Sequence, residues 1–347
     1  MADDAVARSG GTASTAAPLV TGAVGGASAP PAAPARGRRS GTRPGLRKGL
    51  EITFFVAPAM LVFLGFVVWP VGKAVQYSLY NWKGYGPMVD FVGLKNFAYV
   101  LGSDVFQGAL LHNLIIIIAS IALQLPLGLG LALLLNRKIR GRNVLRTIIF
   151  VPYVLAEVIA GVIWRQMLQA EYGMLETILN AVGIPTPQQG FIGDPDYALG
   201  AVLLVLTWKY LGLAVVLFLA GLAGVPDELT EAAQIDGATW WQIQRRITIP
   251  LLGPTVRTWA FLSIIGSIQV FDMVWILTRG GPAESTSTMA TFLYAFGVDR
   301  NLIGVASAAS VVLFVIALVV ALTYQRFVLR SDLRGSDLVA SGKGKKR

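Results

Sequence analysis

The sequence has no cysteine and a single histidine, His112. Disulfides and thiolate chemistry are therefore excluded, and no Cys/His cluster can hold zinc. One histidine is too few for an H-E-x-x-H site and gives no convincing Ser-His-Asp arrangement. The phosphate-binding pattern G-x-x-x-x-G-K-[ST] is also absent, and its nearest fragment is Gly342-Lys343. We expect no catalytic site and no cofactor in this chain, and we interpret His112 as an ordinary boundary residue.

Charge is scarce as well, because only 14% of the 347 residues are charged and 54% are hydrophobic. A soluble protein of this length carries about 25% charged residues. The hydrophobic residues form runs of the length that crosses a bilayer, which takes about 20 residues of helix. The six runs are Ile52–Leu79, Ala109–Leu135, Thr147–Met167, Leu199–Gly224, Trp259–Thr278 and Ile303–Tyr324. They predict an all-α integral membrane protein with six transmembrane helices.

The net charge of +10 comes from Lys and Arg residues that are unequally divided among the segments between the hydrophobic runs. Lys and Arg cluster in the tail 1–50, in the loop 137–146 and in the tail after residue 325, whereas the loop 168–198 has none. Cytoplasmic segments carry such an excess of basic residues. Both termini and the loop 225–258 are therefore predicted to be cytoplasmic, and the basic balance is not interpreted as a nucleic-acid site.

The two ends of the chain differ in composition from the part between them. Residues 1–50 are rich in Ala, Gly, Ser, Thr and Pro, which predicts a disordered basic cytoplasmic tail without a cleavable signal peptide. Residues 51–328 are predicted to form the transmembrane domain. Residues 329–347 are predicted to be a second basic cytoplasmic tail.

The most informative loop is 225–255, which predicts two short helices at the membrane surface. Pro226 suits a first helical position, and Gly237 can adopt the left-handed conformation that ends a helix. Thr239 and Gln242 have the spacing of a capping box that opens the second helix. Such a helix pair can dock in a groove of another protein, or it can be an amphipathic connector lying on the membrane.

The residues of this loop resemble the EAA loop of permease subunits in ABC importers. The matching triplets are Glu231-Ala232-Ala233, Asp236-Gly237-Ala238 and Ile249-Pro250-Leu251. Further segments look like the sugar-type, maltose-permease-like branch: Phe91–Phe97, Asn136–Arg146, Phe150–Pro152 and Leu277–Pro282. The resemblance covers about residues 50–328. It departs in the long N-terminal tail and at Gln244, where the family often has an aromatic residue.

This resemblance implies a type I ABC importer permease fold in the inner membrane. It implies two copies of an ATPase subunit that bind ATP and Mg, a second, distinct permease subunit and an extracellular solute-binding protein. The implied substrate is a sugar, such as a disaccharide, an oligosaccharide or an amino sugar. The implied ATPase-coupling residues are Glu231, Ala232, Ala233, Asp236, Gly237, Ala238 and Pro250.

Polar residues inside the hydrophobic runs are candidates for the substrate pathway, because burying them in a membrane costs free energy. Gln269, Asp272 and Trp275 are spaced by three, which puts them near one face of a continuous helix. An amide, a carboxylate and an indole suit a polyhydroxylated ring. Alternatively, Asp272 belongs to a structural ion pair and Trp275 is an interfacial anchor.

Glu157 and Lys209 are the other pathway candidates. They carry opposite charges at similar predicted depth, which indicates a buried pair. A fixed structural pair is favoured over a substrate contact.

Two other classes of protein are alternatives to an importer permease. A proton-coupled secondary transporter would use Glu157 or Asp272 to carry protons, but it has no need of the EAA-like loop. A membrane-embedded enzyme would need a convergent catalytic cluster at one interface, and the sequence shows none.

The predicted topology can be tested with reporter fusions. A reporter after Arg330 and one within residues 137–146 should both report the cytoplasm, because basic segments stay on that side. A reporter within residues 170–195 should report the outside. A cytoplasmic signal from 170–195 would contradict the six-span prediction.

Overall fold

The computed structural model describes residues 46–137 and 139–329. Over these residues the chain is helical apart from its loops and one isolated antiparallel bridge between Tyr80 and Phe91. The predicted all-α class is therefore confirmed for this part of the chain. The predictions for residues 1–45 and 330–347 fall outside the described residues.

The described helices are numbered along the chain. They are α1 (Thr53–Ser78, helical from Leu46), α2 (Lys95–Gly102), α3 (Asp104–Leu135), α4 (Arg142–Val154), α5 (Glu157–Leu168), α6 (Met174–Ala181), α7 (Pro195–Leu222), α8 (Asp227–Ile235), α9 (Trp240–Leu251), α10 (Gly253–Ile268), α11 (Asp272–Leu277), α12 (Met289–Asp299) and α13 (Ile303–Val328). Predicted spans one, two, four and six correspond to the long continuous helices α1, α3, α7 and α13.

The third predicted span is not continuous. It breaks into α4 and α5, which meet at an angle of 97°. Leu155 and Ala156, between the two helices, have ψ angles of 140° and 139° and so are extended. The local sequence does not mark this break, since Pro152 lies inside α4. The break is instead stabilised by Lys209 of α7, which donates to carbonyl groups at the end of α4.

The fifth predicted span, Trp259–Thr278, is also interrupted. Helix α10 ends at Ile268, and α11 begins only at Asp272. The amide of Asn113 donates to the carbonyl oxygens of Ser267 and Ile268 at 2.7 and 3.3 Å. The Thr288 hydroxyl donates to the Val270 carbonyl at 3.0 Å. Polar side chains from elsewhere thus satisfy backbone groups that the interruption leaves without helical partners.

Helix α7 lies at the centre of the part of the chain from residue 59 onward. It packs along α3 and α4 and also contacts α10 and α11. Close approach to α4 depends on Gly212, because a β-carbon there would lie 2.6 Å from the Ile149 carbonyl oxygen. Small residues at helix crossings allow such close packing in membranes. A separate hydrophobic cluster joins α2, α12 and α13 with the start of α3.

The α4–α7 crossing gives a stability prediction. Gly212→Val should destabilise the protein by about 1–3 kcal/mol, because the added side chain forces apart two backbones in contact. The expected readout is less folded permease in the membrane and a lower melting temperature in detergent. Gly200→Val is the matched control on the same helix, since a β-carbon at Gly200 meets no atom within 4 Å. Equal behaviour of the two variants would contradict the close packing.

Candidate coupling loop and transport cavity

The two helices predicted for loop 225–255 are present as α8 and α9. Pro226 is not the first helical residue as expected. It lies one position earlier, with ψ at 128°, and α8 begins at Asp227. The acidic pair Asp227 and Glu228 then occupies the first turn, where the helix dipole stabilises negative charge.

The turn between α8 and α9 is closed by Gly237, whose φ is +76°. The Gly237 amide donates to the Gln234 carbonyl at 3.0 Å, and the Ala238 amide donates to the Ala233 carbonyl at 2.9 Å. These two bonds are those of a Schellman motif, which favours glycine at the left-handed position. The predicted capping box between Thr239 and Gln242 follows directly. A β-carbon at Gly237 would meet no atom within 4 Å, so the constraint is the backbone angle and not space.

Helix α8 presents its side chains to the surroundings. None of them is buried by the described part of the chain. Ile235 is 87% exposed and Leu229 is 45% exposed, while Glu231 and Ala232 are also exposed. A helix with uncovered apolar side chains next to a charged one has the character of a contact surface for another protein.

Helix α9, in contrast, is attached to the rest of the chain. Ile243, Gln244 and Thr248 are buried, and Gln244 therefore points inward at the position where the resemblance departs from its family. The Arg137 guanidinium lies 4.9 Å from the centre of the Trp240 ring, which joins α9 to the loop after α3. Pro250 is exposed and lies in the last turn of α9.

A cavity of about 380 Å³ lies between α3, α7 and α10, with Tyr153 of α4 in its wall. Its lining is apolar with scattered polar groups, and no charged residue is among the described residues that line it. The polar lining residues are Ser120, Gln124, Tyr153, Thr207, Tyr210, Ser263 and Ser267.

Two polar groups in this cavity stand out. The hydroxyls of Ser120 and Ser263 are 2.6 Å apart, which links α3 to α10. Gln124 is only 5% exposed, and its amide makes no hydrogen bond within the described residues. This amide is open to the cavity and not sealed from it, so it can take a hydrogen-bond partner there. A bound polar molecule in the cavity can supply that partner.

The three candidates Gln269, Asp272 and Trp275 do not share one helical face. The expectation was wrong because the helix is interrupted between Ile268 and Asp272. None of the three is among the residues that line the cavity, although Val270 between them is. Gln269 and Asp272 are exposed.

Trp275 belongs to an aromatic cluster. Its ring lies 5.7 Å from that of Phe271 and 4.6 Å from that of Tyr294, measured between ring centres. The guanidinium of Arg279 lies 5.9 Å from the Trp275 ring. The indole therefore has protein partners on several sides, and only part of it is open to another molecule.

Glu157 and Lys209 form the pair that the sequence predicted. The Lys209 ammonium lies 3.7 Å from Glu157 Oε1, and Lys209 is 1% exposed. The same ammonium donates to the carbonyl oxygens of Pro152 at 3.0 Å, Tyr153 at 3.3 Å and Leu155. Glu157 Oε1 also accepts from the Tyr210 hydroxyl at 3.1 Å. Because its donors are all engaged within the chain, Lys209 is not available as a substrate contact.

Sequence reasoning missed the residues that line the cavity. The hydroxyl residues carry no individual signal, because Ser and Thr are common in membrane helices. Gln124 could have been found, since a polar side chain inside a hydrophobic run is a functional candidate. The same rule applies to Asn113, which supports the interruption after α10. His112, interpreted as a boundary residue, has its Nδ1 2.9 Å from the Ser287 carbonyl oxygen.

The comparisons with known proteins agree with the fold. The chain belongs to the family of binding-protein-dependent transport system inner membrane components, which matches residues 124–332. It is a permease subunit of an ABC importer and not an enzyme. This membership leaves the proton-coupled carrier and the membrane enzyme without support.

Two relatives each match about four fifths of this chain. The chain is 34% identical over 284 residues to the "Probable ABC transporter permease protein" of Pyrococcus horikoshii, which covers 82% of this chain and 97% of the relative. It is 32% identical over 269 residues to the "Trehalose/maltose transport system permease protein" of Thermococcus litoralis, covering 78% and 90%.

A solved structure has the same fold. It is a bacterial alginate ABC transporter in complex with an alginate pentasaccharide-bound periplasmic protein, with a TM-score of 0.72. At 23% identity the match covers 82% of this chain and 96% of that chain. The likeness supports the predicted ABC importer permease fold.

Proposed function

We propose that this permease subunit takes up a sugar, such as a disaccharide, an oligosaccharide or an amino sugar, and that the cavity between α3, α7 and α10 lies on its path. The observation that carries this proposal is the lining of the cavity: hydroxyls, one unpaired amide and aromatic rings, without charge among the described lining residues. Sugars offer hydroxyls for hydrogen bonding and apolar faces for aromatic contact. The trehalose/maltose name of the Thermococcus relative is in keeping with this assignment.

The proposed assembly contains four kinds of component. This chain pairs with a second, distinct permease subunit, two copies of an ATPase subunit bind ATP and Mg, and an extracellular solute-binding protein delivers the sugar. The requirement for a separate ATPase follows from the sequence, which has no phosphate-binding pattern of its own. A solute-binding protein is in keeping with the alginate transporter complex.

The proposed topology has both termini in the cytoplasm. It is supported by the excess of Lys and Arg in segments 1–50, 137–146 and 326–347. The contact between Arg137 and Trp240 also supports it, because that contact requires the loop after α3 and helix α9 to lie on the same side.

We assign coupling to the ATPase to the exposed loop formed by α8 and its turn into α9. ATP is cytoplasmic, so its energy reaches this subunit by contact on that side. The residues proposed for this contact are Glu231, Ala232, Ala233, Asp236, Gly237 and Ala238, with Pro250 at the return to the membrane. The exposed apolar side chains of α8 supply the surface that such a contact would cover.

Variants of Gly237 and Glu231 test the coupling assignment. Gly237→Val should abolish uptake and substrate-stimulated ATP hydrolysis, because a β-branched residue strains the turn at φ +76°. Gly237→Asn should retain much of both, since Asn tolerates the left-handed region. Glu231→Lys should weaken retention of the ATPase subunit on purification, whereas Glu231→Gln should have a smaller effect.

The amount of each variant inserted in the membrane is measured as a control, so that loss of uptake can be separated from loss of protein. All four variants should insert at wild-type levels, because the loop is exposed and a β-carbon at Gly237 meets no neighbour. Wild-type uptake by Gly237→Val and Glu231→Lys, with the ATPase still bound, would contradict the assignment.

The cavity assignment is tested at Gln124. Gln124→Leu should raise KM for uptake about tenfold, which corresponds to about 1.4 kcal/mol, because an amide partner for the sugar is lost. The sugar would first be identified by calorimetry on the cognate solute-binding protein. Leu123→Ala is the matched control, since Leu123 is the preceding residue of α3, is 46% exposed and does not line the cavity. An unchanged KM for Gln124→Leu would place the sugar elsewhere.

We propose Gln269, Asp272 and Trp275 as an approach to the cavity, which they adjoin through Val270. Their contribution should be smaller than that of Gln124, because Gln269 and Asp272 are exposed outside the lining.

A further inference from the structure

The break between α4 and α5 leaves carbonyl groups at the end of α4 without helical donors. Leu155 and Ala156 are extended, so the residues after the break cannot donate back into α4. In a membrane these carbonyls cannot turn to water, and each unsatisfied group costs several kcal/mol. The donor that replaces the missing amides is the Lys209 ammonium, which reaches from α7 to Pro152, Tyr153 and Leu155.

The positive charge of Lys209 interacts favourably with the C-terminal end of α4 and with Glu157 at the start of α5. The last turn of α4 carries the partial negative charge of a helix C-terminus, which a cation stabilises. Glu157 is the first residue of α5, where the partial positive charge of the N-terminus stabilises a carboxylate. The ion pair of 3.7 Å between them therefore links the end of one helix to the start of the next. One side chain of α7 holds both halves of the broken span.

This arrangement is connected to the transport cavity through two tyrosines. Tyr153 has its carbonyl bound by Lys209 and its side chain in the cavity wall. Tyr210, the residue after Lys209, donates its hydroxyl to Glu157 and also lines the cavity. Their ring centres are 6.4 Å apart. Glu157, the first residue of α5, is therefore in direct contact with the cavity wall through Tyr210.

We propose that Lys209 is a positioning residue for transport: by capping the end of α4 and pairing with Glu157, it fixes Tyr153 and Tyr210 in the cavity wall. It does not touch the substrate. This proposal rests on the proposed function in one respect, since it takes the cavity as the path of the sugar. The positions of Lys209, Tyr153 and Tyr210 that it describes do not require sugar to be bound. A charge-balancing role alone makes a different prediction, because a buried ion pair replaced as a unit by uncharged groups is often tolerated.

The double variant Lys209→Met/Glu157→Gln separates the two roles. It removes both charges, so no uncompensated charge is left in the membrane, but it also leaves the α4 carbonyls without their donor. Lys209→Met alone leaves Glu157 unpaired and should reduce the amount of folded protein. Lys209→Arg keeps both the charge and the donors and is expected to behave as wild type.

Because the chain has no cysteine, a cysteine introduced into it is the only labelling site on this subunit. Spin labels at Ile148→Cys of α4 and Val162→Cys of α5, which are 61% and 49% exposed, report the distance across the break. A separate Ser263→Cys variant reports the cavity through its rate of modification by uncharged hydroxyethyl methanethiosulfonate. Both measurements use the full transporter in proteoliposomes without sugar.

The expected result is a narrow distance distribution in wild type and Lys209→Arg. In the double variant it should broaden and shift by several Å, and Ser263→Cys should react at least threefold faster. The double variant should accumulate less than wild type, because the α4 carbonyls lose their donor, but more than Lys209→Met alone, which also leaves Glu157 unpaired. A double variant with wild-type distance and wild-type reaction rate would overturn the proposal and leave charge balance as the role of the pair.

If the double variant fails to accumulate, the Tyr210→Phe variant provides a second test of the proposal. It cuts the link between Glu157 and the cavity wall but leaves Lys209 on the α4 carbonyls. The distance across the break should stay at the wild-type value, while Ser263→Cys should react faster. A wild-type reaction rate in Tyr210→Phe would overturn the proposal. Failure of the sugar assignment would appear only as the absence of sugar uptake and would leave both readouts intact.

Discussion

The structure depends on how the backbone polar groups of two interrupted spans are satisfied inside a membrane. Hydrocarbon offers no hydrogen bonds, so an interrupted helix is stable only where protein supplies the missing donors. Lys209 does this for the break after α4, and Asn113 does it for the end of α10. Both side chains are buried, at 1% and 2% exposure. The directions that α5 and α11 take after the two breaks depend on these few contacts.

Long uninterrupted features were predictable from the sequence because their causes are local. A hydrophobic run sets the position of α1, α3, α7 and α13, and the glycine and capping residues set the turn from α8 to α9. The two breaks have no local cause of this kind. Lys209 lies 57 residues from Pro152, and Asn113 lies 154 residues from Ser267. The contacts that decide the breaks are therefore tertiary and are invisible to a window of neighbouring residues.

The difference between local and tertiary causes also explains which candidate site residues were predicted correctly from the sequence. The pairing of Glu157 with Lys209 was predictable because an unpaired charge inside a membrane is costly and opposite charges there usually pair. The shared face of Gln269, Asp272 and Trp275 was not, since that inference required an uninterrupted helix. The cavity is formed by small hydroxyl residues from helices far apart in sequence, and only Gln124 carries a signal strong enough to be singled out. The charged pair could be identified from residue types alone, whereas the cavity could be identified only from the three-dimensional structure.

The proposed coupling loop and the cavity are separate in space and are connected by α9 and α10. Helix α9 bends by 63° into α10 next to Leu252, which is 1% exposed within a hydrophobic cluster that includes Trp259. Helix α10 then carries Trp259, Ser263 and Ser267 along the cavity. Packed interiors deform little, so a rigid element transmits displacement over its length. A movement imposed on α8 by a partner is thus expected to reach the cavity through α9 and α10.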